Sequence, residues 1–395
     1  MLNHFENAYF NPRSRLQRRL LMIVAVLILT VTLPLPIAAQ TYTIIHQFRS
    51  GSGGINPESG VIFDNAGNLY GTTLNDGAFG VGTAYQIAPN GKERVFSFTG
   101  VNGEGDLPQY GSLIRDSAGN FYGTTSEGGL YNDVCVVGCG TVFAISPTGK
   151  EKVLYEFTGV NGDGQQPLSG VVRDAAGNLY GTTWQGGTSG AGMVYKVSSK
   201  GEETILHSFD GSDGGLPYAG LTFDGKGNLY GTTTFSTVFE ITPTGVFTVL
   251  YVFSGADGSN PLSGVIIDKS GNLYGANNSG GAFGYGTVYE ITPQGQETTL
   301  YSFTGGADGA NPGYGNLARD SAGNLYGTTT TGGAENLGIV FKVDPSGTET
   351  VLHAFTGTDG RDPQGSVVLD ASGNLYGTTY AGGAYGGGVI FKIEP

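Results

Sequence analysis

The sequence predicts an all-β fold, a seven-bladed β-propeller of four-stranded blades closed by the N-terminal strand, and three observations predict it. Near-copies of Gly67-Asn68-Leu69-Tyr70-Gly71-Thr72-Thr73 recur at Tyr70, Tyr122, Tyr180, Tyr230, Tyr274, Tyr326 and Tyr376, spaced by 52, 58, 50, 44, 52 and 50 residues. A period of about 50 residues with several strand-like runs marks a radial repeat. Each period holds four short runs rich in β-branched and aromatic residues, and none shows a sustained helical period. The chain ends are complementary: Tyr42-Thr43-Ile44-Ile45-His46-Gln47-Phe48 matches a fourth run, whereas the last period stops after its third run at Ile393. The N-terminal run therefore completes the seventh blade, which removes open sheet edges.

From the N-terminus, Arg13, Arg15, Arg18 and Arg19 precede an apolar run from Leu20 to Leu33, then Pro34, Pro36 and Ala38-Ala39. That is the layout of a cleaved signal peptide over residues 1–39, and the apolar run is short for a membrane span. Blades are expected at 60–98, 111–157, 170–209, 220–253, 264–303, 315–355 and 366–393, the last joined by 42–48. In the fifth, the runs are Gly264 to Asp268, Asn272 to Gly275, Thr287 to Ile291 and Thr298 to Phe303. First runs such as Val61-Ile62-Phe63 are apolar on consecutive positions, as in a sheet covered on both faces. The first hairpin turn is Asp-x-x-Gly-Asn, where the Asp accepts from backbone N–H groups and Gly supplies positive φ. The second is Pro-x-Gly, as in Pro89-Asn90-Gly91 and Pro293-Gln294-Gly295.

Composition excludes several classes. Glycine is abundant at 71 residues, but 38% of the chain is hydrophobic and no triplet period exists, which excludes collagen and disorder. Beyond residue 39 the formal charge is -17, which argues against nucleic acid and anionic lipid as partners and suits a soluble exported monomer with no membrane span. The only cysteines, Cys135 and Cys139, sit in an insertion of the second repeat. No His and one carboxylate lie beside them, so a local disulfide is favoured over free thiols or a metal site.

The unit Gly-Val-x-x-Asp-x-x-Gly-Asn-Leu-Tyr-Gly-Thr-Thr, followed by Gly-Gly-Ala-x-Gly-x-Gly-Thr-Val-Tyr and Leu-Tyr-x-Phe-x-Gly, resembles the GloVer tandem repeat of secreted bacterial proteins and covers Tyr42 to Pro395. The resemblance implies export and a propeller-type fold, and no activity.

With four runs per blade, the second-to-third and interblade connections share one face, which receives the long loops. Aromatic residues there form the candidate binding surface: Trp184, Tyr110, Tyr131, Tyr218, Phe283, Tyr285, Tyr314 and Tyr385. The competing explanation is that they merely cover blade ends. The Asp-Gly pairs of the interblade loops, including Asp163-Gly164 and Asp257-Gly258, read as turns, since one or two acids per loop make a poor calcium site. His46, His207 and His353 occupy one repeat position in three different blades and cannot converge, so no nucleophilic triad is assembled. No catalytic residue, metal or cofactor is assigned. The leading expectation is a non-catalytic exported propeller that binds a glycan or an envelope protein. Its rivals are a lyase or hydrolase with a carboxylate or divalent-ion site near the axial channel, and a structural envelope or matrix component. The short link Thr234-Phe235-Ser236 in the fourth repeat is where an enzyme's asymmetric cleft is expected.

Overall fold

The computed structural model describes residues 40–101 and 103–394; the expected signal segment 1–39 lies outside the described residues. Thr41–Pro395 form one unit. Seven antiparallel sheets follow one another along the chain, each ordered first to fourth strand, and no helix occurs among the described residues. In blade 3 the strands are Val172–Arg173, Leu179–Thr183, Met193–Val197 and Glu203–Ser208. The seventh sheet is Val368–Leu369, Leu375–Thr379 and Val389–Glu394, with Thr41–Gln47 paired to the last of these, Ile44 opposite Phe391.

Seven hydrophobic clusters fill seven seams between successive blades, and the one joining blade 7 to blade 1 contains Ile390, Phe48 and Val61. The repeat explains each seam. A Phe that follows every fourth strand, such as Phe209, meets the third-strand aromatic of the next blade, here Phe239, with ring centroids 4.8–5.6 Å apart in all seven cases. That aromatic lies across the Gly of the Leu-Tyr-Gly motif, and a Cβ on Gly231 would sit 2.5 Å from the Phe239 ring. The glycine is therefore required by close approach of a ring and not by backbone conformation.

First strands are shorter than the apolar runs suggest, only two residues in each blade, as at Ile62–Phe63 and Ile266–Ile267. Val61 is fully buried while Ile62 and Phe63 are half-buried, and these two pack into opposite seams. Both faces of the run are thus covered without full burial. Each hairpin Asp is saturated locally: Asp174 accepts from Asn178 N, Asn178 Nδ2 and Tyr180 Oη at 2.7–3.0 Å. Burial opposes its ionisation, but these donors outweigh it and hold its carboxyl below the usual range.

The expected loop face is more ordered than its glycine content suggests. Glu127–Gly128 pairs with Gly105–Asp106, and Gln185–Gly186 with Gly164–Gln165, so interblade and second-to-third connections are laced into small ladders. Positive φ is concentrated here at Asn56, Leu107, Gln166, Leu216, Asn260, Asn311 and Asp362, one per blade and each followed by Pro. Cys135 and Cys139 form a disulfide buried in the seam of blades 2 and 3 beside Phe157.

Candidate functional site

Three residues before the buried apolar residue that leads into each first strand, the chain arrives at the axis. Counting back from Val61, Leu113, Val171, Leu221, Val265, Leu317 and Val367 gives Glu58, Tyr110, Leu168, Tyr218, Leu262, Tyr314 and Gln364. Close backbone approach of the next residues confirms that they ring a common axis: Gly60 abuts Ser366 and Ser112, Gly111 abuts Gly170, Gly220 abuts Gly170, Gly264 abuts Gly220 and Asn316, and Gly315 abuts Gly365. Alternate blades 2, 4 and 6 contribute tyrosines, which meet across the axis with centroid distances of 4.8 Å (Tyr110 to Tyr218), 5.9 Å (Tyr110 to Tyr314) and 6.1 Å (Tyr218 to Tyr314). They lie over a cavity of about 160 Å³ lined by Ser112, Ser169, Asn316, Ser366 and glycines of the first strands.

Glu58 sits among these rings. It is 5% exposed, and its Oε2 has no hydrogen-bond partner. Burial, then the nearby Asp362 carboxylate, pushes its carboxyl up to about 8, so it is largely protonated at neutral pH. Burial likewise raises Asp362, which accepts from Gln364 Nε2 at 2.9 Å. Burial and then the charge of Glu58 push Tyr110 up to about 12 and also raise Tyr380. Tyr380 N donates to Asp362 O at 3.0 Å, which fixes both to the rim. The site thus offers three aromatic rings, a neutral carboxyl with free acceptor capacity, and a second half-buried carboxyl.

The eight aromatics singled out in the sequence divide. Tyr110, Tyr218 and Tyr314 converge. Tyr131, Phe283, Tyr285 and Tyr385 ride exposed on connections of blades 2, 5 and 7; Tyr131 donates to Gly100 O at 2.6 Å, and Tyr285 lies over Gly305. Trp184 is half-buried in blade 3 at the repeat position that Tyr380 holds in blade 7. Glu58, Asp362 and Tyr380 were not singled out, although the count back from each first strand would have found Glu58. At the short link Phe235 packs on Gly215, and the buried carboxyl oxygens without a partner, which include those of Glu58, Glu151, Glu203 and Glu349, belong to other blades. The histidines are tied into outer strands, with His207 Nε2 2.7 Å from Asp213 and His353 Nε2 3.0 Å from Asp359. Tyr251 and Tyr301 donate to Asp257 and Asp308 in the same place.

Among solved structures the chain is similar to a streptogramin B lyase, at 15% identity and TM-score 0.61 over 90% of this chain and 97% of that one. It is also similar to the extracellular domain of a hybrid two-component system from B. thetaiotaomicron, at 14% identity and TM-score 0.56 over 90% of this chain and 41% of that one. A puromycin hydrolase matches at 12% identity and TM-score 0.56 over 84% of this chain and 51% of that one. At such identities the likeness is one of fold. No curated protein matches. The model of the Gloeobacter/Verrucomicrobia repeat matches residues 31–236 and 234–395, and the chain belongs to that family.

Proposed function

We propose that this protein is an exported, non-catalytic binding propeller whose recognition centre is the tyrosine-lined mouth of the axis, and that its ligand is a glycan or similar polyol. The observation that supports it is the broken repeat. Positions that hold the ring together, such as the hairpin Asp and the seam Phe, are alike in every blade, whereas the axial position varies as Glu58, Tyr110, Leu168, Tyr218, Leu262, Tyr314 and Gln364. Aromatic faces pack against the C–H faces of sugars, and a protonated carboxyl donates one hydrogen bond and accepts others. Export is supported by the basic and apolar leader pattern, the acidic surface and the disulfide.

The test is a glycan array with the full chain. Tyr218→Ala should lower retention at least about tenfold while Tyr218→Phe, which keeps the ring, retains binding. Unchanged retention by Tyr218→Ala, with loss in Trp184→Ala instead, would move the site out to the loops and refute the axial assignment. A second reading has its own support in the unpartnered Glu58 oxygen beside Asp362, a pair suited to general acid–base work. Turnover of a glycoside or lactone that is lost in Glu58→Gln, with binding kept, would favour it.

A further inference from the structure

The seam between blades 1 and 2 differs from the other six. In blades 2 to 7 the fourth strand carries a one-residue bulge opposite the third, and the extra residue is Leu154, Leu206, Leu250, Leu300, Leu352 or Ile45. Each of these packs against its seam cluster. In blade 1 the pairing of Thr83–Ile87 with Glu93–Ser97 runs without a shift, so no such residue exists. The same seam lacks bulk at a second place. Ala84 stands where the other blades have Val142, Val194, Val238, Val288, Val340 and Ile390, all fully buried. One change works the other way: Phe121 replaces the leucine found there in the other blades and leans on Tyr70 at 4.5 Å.

The compensation is incomplete. A cavity of about 170 Å³ reaches into this seam, walled by Ala84, Tyr85, Phe96, Leu113, Phe121 and Ile145. It opens toward the tight turn Pro147-Thr148-Gly149, on the face opposite the tyrosine mouth. The neighbouring seam shows the contrast, because there the surface depression is lined by Leu154 and does not reach the buried third-strand residues Val142 and Phe143.

We propose that the seam of blades 1 and 2 is a second binding site, for a small aromatic or branched apolar molecule between benzene and indole in size. An apolar cavity of about 150 Å³ holds one such ring, and its walls regain the dispersion contacts that the missing leucine would have supplied. The ligand replaces a side chain that six sister seams provide covalently. Its inner wall is apolar, made by Ala84, Leu113, Phe121 and Ile145, while Gln86, the exposed Arg94, Ser146 and Thr148 bring polar groups to the lining, so the apolar end selects a ring and the polar groups leave room for one N–H or O–H on it.

Indole titrated into the full chain by calorimetry tests this. Wild type should show saturable binding and a raised melting temperature. Ala84→Ile and, separately, insertion of Leu between Val95 and Phe96 should each weaken indole at least about tenfold and raise the ligand-free melting temperature by filling the space. No saturable binding by wild type, or equal affinity in whichever filled variant folds, would overturn the proposal. The cavity is lined by none of Tyr110, Tyr218 and Tyr314, so glycan retention is expected to be unchanged in both variants.

Discussion

Glu58→Gln isolates the electrostatics of the axial mouth. Burial first, and Asp362 second, move this carboxyl from an ordinary 4.5 to about 8. Because the folded-state value is the higher one, the folded ring holds a proton that the unfolded chain has already released at neutral pH. The associated stability is present in full below about pH 4.5 and is lost as pH rises through about 8. A shift of this size corresponds to about 4–5 kcal/mol, at no more than about 1.4 kcal/mol per pH unit. If the ring melts as one unit, that is roughly 5–10 °C. Glutamine is neutral throughout and lacks the term. The assay is thermal melting of both proteins from pH 4 to pH 9. Glu151, Glu203 and Glu349 are also raised to about 7, by burial and then by Glu104, Asp163 and Asp308, so only the difference between the two curves reports Glu58. The variant should match wild type at pH 4 and exceed it at pH 9. Parallel curves across the range would show that Glu58 ionises as freely in the ring as in the unfolded chain, and the picture of a buried, unpartnered carboxyl would be wrong.

Gly231→Ala should cost about 1–3 kcal/mol in urea denaturation, because its Cβ would meet the Phe239 ring at 2.5 Å. Pairing it with Phe239→Leu should recover part of the loss, and a neutral single variant would refute the close-approach account. A chain that starts at Arg49 removes the pairing of Thr41–Gln47 with Val389–Glu394 and exposes that strand as an edge. It should oligomerise in size-exclusion chromatography with light scattering, whereas a monomer of unchanged melting temperature would show that closure does not depend on this strand.

Much of the fold was legible because each repeated residue answers a local demand. Asp174, Asn178 and Tyr180 satisfy one another within seven residues, so the turn can be read from spacing alone. The ring closure was legible for a similar reason, since an unpaired fourth run and a blade missing its fourth run can be matched by pattern. The loop face was legible in part: the sequence marks its glycines and aromatics but not the ladders that stiffen it, because pairing between Gly164–Gln165 and Gln185–Gly186 joins segments with no apolar alternation.

The sequence by itself determined the number of blades, their strand order and the way the ring shuts, since these follow from periodicity and from short-range turn chemistry. Only the tertiary structure decided which side chains share a site. Tyr110, Tyr218 and Tyr314 are about a hundred residues apart in the chain, and Glu58 and Asp362 stand near its opposite ends. They meet because a closed ring carries equivalent positions of all seven blades to one axis, where spacing along the chain no longer measures distance. The same closure makes a missing leucine in one seam a cavity rather than a local slackening, because neighbouring blades cannot move together to fill it without opening another seam.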